Sequence, residues 1–323
     1  MLTILILLGL LSAATSQVHR GRFLEDHEMN FLVKVTAYFE DEGQYYVKDG
    51  AGFIVSQKMI LTAAHVYVDL TDWEITPLQV EVVAGSKHLE EAPDSGMQTH
   101  LVLPERVHVY PGYRSFVTLR TNDKYDVALI ALAAPLKLGP MVAVAPLRQP
   151  SMVDGQDCRV MGWGESEVLV GDLFGNFREE AADETKRAMI GKVKMLDPDA
   201  CEAGNEFFHR THQVCYGCLE GEVCQSAGKG DSGGPVVCSH ENEWYVVAVH
   251  TMSCFDPDEE ECTPETPRTG VSIKNAIEQW INFITEQQTD EDRQKQPSYQ
   301  TKIETTGEEE EGGNINEIFY QID

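Results

Sequence analysis

The chain has 323 residues and is 42% hydrophobic, enough for one or two domains with a sizeable core. Asp and Glu number 53 against 25 Lys and Arg, a formal net charge of −28 at pH 7. That balance argues against nucleic acid and anionic membranes as partners, because both are held by Lys and Arg.

Residues 2–11, "LTILILLGLL", form an apolar run too short to span a bilayer. Small residues follow in "AATSQ", so the run reads as a secretory signal peptide over residues 1–16, cut after Ser16. The mature protein is therefore expected outside the cell. No later run reaches transmembrane length, and no N-x-S/T acceptor is present.

From Phe31 onward short apolar runs alternate with turns: "FLVKVTAYF", "AGFIVSQKMILTAAHV", "LQVEVVAG", "DVALIAL", "CRVMGWG", "AMIGKVKML", "PVVC" and "WYVVAVHT". Their β-branched and aromatic content, broken by Gly, Pro and Asp, predicts an all-β sandwich or barrel. Near the end, Ile273, Ala276, Ile277, Trp280, Ile281 and Ile284 recur at helical spacing, which predicts one closing amphipathic helix. Residues 286–323 are acidic, Gln-rich and poor in apolar residues, and read as a disordered tail.

The eight cysteines are Cys158, Cys201, Cys215, Cys218, Cys224, Cys238, Cys254 and Cys262. An even count in an exported chain predicts disulfides. The cluster Cys215, Cys218 and Cys224 has no second CxxC pair to complete a zinc site, so no metal is expected, and no cofactor.

The stretch "GKGDSGGPVVC", Gly228 to Cys238, crowds glycines around Ser232. Glycine serves where a backbone turns sharply or approaches another group closely. A hydroxyl held on such a turn becomes a nucleophile when a base takes its proton. Histidine suits that role, and a carboxylate fixes its tautomer. Of the ten histidines, His65 stands out, because in "ILTAAHV" an apolar strand runs into small residues that leave room for an imidazole. His250 lies inside an apolar strand and reads as a core or pocket-wall residue. Asp126 heads the apolar strand "YDVALI", where a carboxylate must be paired.

"LTAAHV", "YDVALI" and "GDSGGPVVC", in that order, resemble the three catalytic motifs of the chymotrypsin-like serine proteases. "CRVMGWGE" and the closing "AIEQWINFI" fit the same family, and the resemblance covers residues 23–285. It implies two six-stranded antiparallel Greek-key β-barrels with the active site between them. It also implies a secreted serine endopeptidase in which Ser232 is the nucleophile, His65 the base and then acid, and Asp126 the orienting carboxylate. The backbone N–H groups of Gly230 and Ser232 would form the oxyanion hole. Asp231 would pair with a new N-terminal ammonium released by activation cleavage. With residues 17–22 as propeptide, that cut is expected after Arg22, freeing Phe23, although the family's usual glycines after the new terminus are missing. The implied partners are a protein or peptide substrate, an activating protease and a serpin-like inhibitor, with the chain a monomer that binds neither nucleic acid nor membrane.

The resemblance also implies the bridges Cys158–Cys238 and Cys201–Cys215, and leaves three pairings for Cys218, Cys224, Cys254 and Cys262. The family's bridge at the His loop is absent, with Gly50 and Val66 in its place. Its calcium loop is unsupported, because Ser86 and Lys87 stand where an acidic ligand belongs. Ser226 aligns with the floor of the substrate pocket, and Thr251, Ser253 and Gly270 with its walls. A serine floor has no carboxylate to pair with a buried Lys or Arg, so apolar residues are expected before the scissile bond. The acidic loop Asp256–Glu261 offers a competing expectation, selection of basic residues from the rim. A second reading of the whole chain is a non-catalytic homologue that keeps the fold and acts as a binding or regulatory protein. A fluorophosphonate probe separates the two readings, because only an activated serine labels.

Overall fold

The computed structural model describes residues 18, 21–25, 27–68, 76–89, 96–113, 125–147, 154–164, 187–203, 208–219, 221, 224–228, 230–252, 266–274 and 276–295. Two antiparallel sheets account for most of them. Fourteen strands are described: β1 (Arg22–Phe23), β2 (Leu32–Asp41), β3 (Gln44–Ser56), β4 (Met59–Thr62), β5 (Gln79–Ala84), β6 (Gln98–Val102), β7 (Val107–Val109), β8 (Ala128–Ala131), β9 (Asp157–Gly162), β10 (Met189–Met195), β11 (Gln213–Gly217), β12 (Pro235–His240), β13 (Glu243–Met252) and β14 (Arg268–Ser272). Helices are α1 (Ala64–Tyr67), α2 (Pro198–Glu202) and α3 (Ala276–Lys295).

The first sheet runs β6-β5-β2-β3-β4-β8-β7. The second runs β1-β10-β11-β14-β13-β12-β9, and an added β9–β10 pairing closes six of these strands into a ring. Each sheet therefore has seven strands where six were expected. In the second, the two-residue β1 adds to the edge of β10, pairing Arg22 with Ile190. In the first, Pro104 opens a 3-10 turn between β6 and β7 and divides what would otherwise be one strand.

Tight hairpins recur in both halves. Asp41 faces Gln44 across Glu42 and Gly43, at φ of 46° and 81°. His240 faces Glu243 across Glu241 and Asn242, at 51° and 66°. Two consecutive positive φ angles match the right-handed strand twist.

One buried cluster joins the first sheet to the outer faces of the second and to α3, through residues such as Leu61, Leu129, Trp163, Val249, Val271 and Trp280. A smaller cluster fills the second barrel, with Val160, Val193, Val214, Tyr216, Ala227 and Ala248 among its members. The closing helix runs to Lys295, ten residues past the boundary expected at 285. Its extra turns are not a bare solvated tail, because Gln288 is buried. Residues 296–323 lie outside the described residues.

Among the described residues three disulfides are formed: Cys158–Cys238, Cys201–Cys215 and Cys218–Cys224. The first two are those the resemblance implied. The third resolves one of the open pairings, and Cys254 and Cys262 lie outside the described residues. No helix among the described residues is long and apolar enough to cross a membrane.

Candidate active site

The register of the first sheet brings His65 and Asp126 together. Thr62 at the end of β4 faces Ala128 at the start of β8 in an antiparallel pair. Extending that ladder by two residues sets Asp126 opposite Ala64, beside His65 on the single turn of α1. The carboxylate is held twice. The His65 backbone N–H donates to Oδ1 at 2.9 Å, and His65 Nδ1 lies 2.6 Å from Oδ2. Asp126 is buried, with 3% of its side chain exposed against 24% for His65. The imidazole is thus anchored through Nδ1 while its other edge remains accessible.

Ser232 comes to the same place through β3. Its carbonyl accepts from Ala51 N–H at 2.8 Å. Gly50 sits between that carbonyl and Val66, the neighbour of His65. A Cβ on Gly50 would lie 2.9 Å from the Ser232 oxygen and 2.8 Å from Val66 Cγ2. The missing His-loop bridge is therefore replaced by direct packing of Val66 against a glycine. Gly233, at φ 85°, is pressed so closely on the first sheet that a Cβ would stand 2.2 Å from the Ala51 oxygen. Such a position admits no side chain. Gly230 has φ 81°, and Ser232 is partly exposed between buried neighbours.

Asp231 points the other way, into the second barrel, and is 1% exposed. Gly164 N–H donates to Oδ1 at 2.9 Å and Gly228 N–H to Oδ2 at 2.8 Å. Burial raises its pKa to about 7, against the lowering influence of those two N–H groups and of the Lys34 charge. A carboxylate in a dry site without a contacting cation favours its neutral form. Lys34 itself forms a buried ion pair with Asp49 at 3.2 Å, and Thr36 donates to the same carboxylate at 2.7 Å. Lys34 faces Ala51 across the β2–β3 ladder, so this pair lies directly behind the Ser232 loop.

Arg22 and Phe23, expected at the activation cut, lie on the edge of the second sheet in the uncut chain. They form β1, with Arg22 bonded bidentately to Glu28 and the Phe23 ring beneath Arg187 at 4.2 Å. Phe23 is 38% exposed. Two apolar residues of this segment are buried: Val18, at 1%, packed with Val160 against Gly191 in the second barrel, and Leu24, at 3%, in the larger cluster.

Around the expected pocket, Ser226 and Thr251 are buried, and neither side-chain oxygen has a hydrogen-bond partner among the described residues. Gly270 pairs with His250 across β13 and β14. Ser253 and the loop Asp256–Glu261 lie outside the described residues. Beside the pocket, His250 is the core histidine its apolar strand suggested, and sequence reading missed its partner, Tyr216. The Tyr216 hydroxyl is hydrogen-bonded to His250 Nδ1, and both residues are fully buried. Burial lowers the His250 pKa to about 3, helped by the charges of Arg268 and His65. Burial raises that of Tyr216, while Arg268 opposes the rise. Among the described residues no group of three or more His, Cys, Asp or Glu could hold a metal.

Two antiparallel β-sheets, the second closed into a ring, with a His–Asp pair and a glycine-framed serine where they meet define a chymotrypsin-like protein. The Trypsin family model matches residues 38–281, and the chain belongs to that family. Chymase of Cavia porcellus is 28% identical over 243 residues, covering 74% of this chain and 83% of that protein. Mast cell protease 2 of Meriones unguiculatus is 25% identical over 230 residues, 70% and 78% of the two chains. A solved structure titled "Structure of GrC" superposes with a TM-score of 0.59 over 84% of this chain and 99% of its own, at 18% identity, a likeness of fold.

Proposed function

We propose that the protein is a secreted serine endopeptidase that works through an acyl-enzyme. Ser232 Oγ attacks the scissile carbonyl carbon while His65 Nε2 takes its proton. The resulting oxyanion is received by the N–H groups of Gly230 and Ser232. Collapse of the tetrahedral species breaks the C–N bond, and His65 returns the proton to the leaving amine. Water, deprotonated by the same imidazole, then hydrolyses the ester and restores Ser232. Asp126 stays ionised throughout and holds the His65 tautomer. The observation that carries this reading is the double hold of His65 on Asp126, at 2.6 and 2.9 Å, beside a partly exposed Ser232. A fluorophosphonate probe should label the processed wild-type protein at Ser232 and leave Ser232→Ala unlabelled. Absence of labelling in correctly processed protein would favour the non-catalytic reading.

Activation is assigned to Val18 rather than Phe23. Among the described residues no cation contacts Asp231, and Val18 is the buried apolar residue of this segment that lies in the second barrel's own cluster, Leu24 lying in the other. Removal of residues 1–17 would place a new ammonium on Val18, with a side chain already suited to the barrel interior. Export through residues 1–16 leaves only Gln17 to be trimmed by the activating protease. N-terminal sequencing of active protein should begin at Val18. A start at Phe23 would return the cut to Arg22.

A further inference from the structure

His65 and Asp126 belong to the first barrel and Ser232 to the second, so their meeting depends on how the two sheets are held against each other. Beside Ser232 they are tied by the Ala51 N–H, which donates to the serine carbonyl at 2.8 Å. A second tie lies at Asp126. The Val127 N–H donates to the Tyr125 carbonyl at 2.7 Å and closes a three-residue turn with Asp126 at its centre. The direction of the Asp126 carboxylate therefore follows the placement of Tyr125. The Val127 carbonyl in turn accepts from the Tyr110 N–H at 3.0 Å.

Rings from both barrels hold this turn. Tyr125 packs on Tyr110 with ring centres 5.1 Å apart, and Tyr110 meets Trp280 of α3 edge-on, also at 5.1 Å. Tyr125 meets His212 at 4.9 Å between ring centres, with its Oη 3.4 Å from Nε2. His212 immediately precedes β11, and its carbonyl accepts from the Ser272 N–H at the end of β14, so it moves with the second barrel. Gly112 leaves the room the row needs, because a Cβ there would lie 2.8 Å from both Tyr110 Cε1 and Tyr125 Cδ2. Tilted and edge-on aromatic pairs have defined geometry, and rings carry few rotatable bonds, so such a row is stiff. Tyr110, Tyr125 and His212 are only half-buried, at the rim of the junction.

We propose that Tyr125 is a positioning residue whose ring contact with His212 holds the Asp126 turn, and through it His65, in register with Ser232 across the two barrels. This deepens the endopeptidase reading and rests on it. The rings carry the role, since 3.4 Å is long for a hydrogen bond between Oη and Nε2. Loosening the contact would leave Asp126 bound to His65, because both of those bonds lie within the first barrel. Imidazole and carboxylate would then shift together relative to Ser232. A misplacement of about 1 Å between reacting groups can cost roughly 100-fold in rate. Peptide binding does not depend on that proton transfer, so the loss belongs in kcat.

The test compares processed wild type with Tyr125→Leu, Tyr125→Phe, His212→Ala and the double variant Tyr125→Leu/His212→Ala. Each is measured in steady-state peptide hydrolysis and in its rate of fluorophosphonate labelling, with near- and far-ultraviolet circular dichroism to check the fold. Tyr125→Leu should lower kcat and the labelling rate together, by roughly 30- to 100-fold, with KM changed less than about 3-fold. Tyr125→Phe, which keeps the ring, should recover most of that loss. His212→Ala should lose about as much as Tyr125→Leu, and the double variant little more than either, because both remove one contact. If Tyr125→Leu does not fold, His212→Ala decides by the same two rates. A loss confined to KM, a phenylalanine variant as slow as the leucine one, or losses that multiply in the double variant would overturn the proposal. Wild type that takes no fluorophosphonate would sink the protease reading and this proposal with it. Labelled wild type whose rates are indifferent to Tyr125 and His212 would sink the proposal alone.

Discussion

The two barrels treat their buried charges differently. In the first, each buried carboxylate that the site uses has its partner within the fold. Asp126 holds His65 twice, and Asp49 holds Lys34 and Thr36. In the second, the hydrogen bonds to Asp231 among the described residues come from two N–H groups and from no cation. The first barrel is electrostatically complete as folded. The second carries a buried anion, Asp231, which on the activation proposed above a new N-terminus would satisfy. On the function proposed, the His65–Asp126 geometry belongs to the finished half and activation to the unfinished one.

The largest expected effect lies at the junction. Ser232→Ala should reduce kcat by roughly 10⁴- to 10⁶-fold while leaving the thermal midpoint nearly unchanged, since its hydroxyl is partly exposed. His65→Ala should lose about as much, and the double variant little more, because the groups act as a unit. Full additivity of the two losses, measured by steady-state kinetics, would contradict a shared role.

Next in size is the completed pair of the first barrel. Lys34→Ala leaves Asp49 buried without its cation and should cost about 3–5 kcal/mol in denaturant unfolding. Lys34→Met combined with Asp49→Leu should recover most of that loss, because an apolar pair of similar volume avoids desolvation. If Lys34→Ala proved harmless, the first barrel would not be the self-sufficient half.

The third effect separates the halves by pH. The folded pKa of Asp231 is raised to about 7, above an ordinary aspartate. Between those two values the folded chain binds the proton and the unfolded chain does not, so stability falls as pH rises through that window. For the uncut chain this amounts to roughly 2 kcal/mol between pH 5 and pH 7. His250, lowered to about 3, has the opposite slope, gaining stability as pH rises towards its unfolded value. It is present in cut and uncut forms alike and cancels in their difference. Pairing with the Val18 ammonium should bring the Asp231 pKa down and remove its share. The stability gap between processed and unprocessed protein should therefore widen from pH 5 to pH 7. A gap independent of pH would mean that Asp231 does not receive the new terminus.

The two halves were also unequally legible in the sequence. The elements of the first barrel announced themselves, because His65 and Asp126 sit at the ends of apolar strands whose pairing fixes their meeting. The glycines around Ser232 were readable for a similar reason, since contacts as close as Gly233 to Ala51 exclude any side chain. Arg268 was not readable, because only the β11–β14 register turns it towards Tyr216 and into the barrel. Lys34 left a signal that went unused, a single charge inside the apolar run "FLVKVTAYF". The helix ran past its expected end because the apolar period stops at Ile284, while Gln288 is buried through tertiary packing that composition does not reveal. Pro104 and the short β1 altered the strand count without altering the fold.

The smallest expected effect bears on where the unfinished half is completed. Arg22 is 55% exposed and joined to Glu28 at 2.7 Å. That partner holds its carboxyl down at about 2, chiefly through the Arg22 hydrogen bonds. On an open surface such a pair is screened and contributes under about 1 kcal/mol. Arg22→Gln should therefore shift stability by no more than that. It also removes the basic residue a trypsin-like activator would need at this place. If Val18 is the terminus that meets Asp231, the variant should be processed and active at nearly the wild-type level, because Arg22 then belongs to β1 and not to a cleavage site. Secreted Arg22→Gln that stayed inactive while its fold and midpoint were preserved would assign the cut to Arg22. Phe23 would then have to leave its pairing with Met189 and its place under Arg187 to reach the barrel, a rearrangement of the whole edge that the Val18 route does not require.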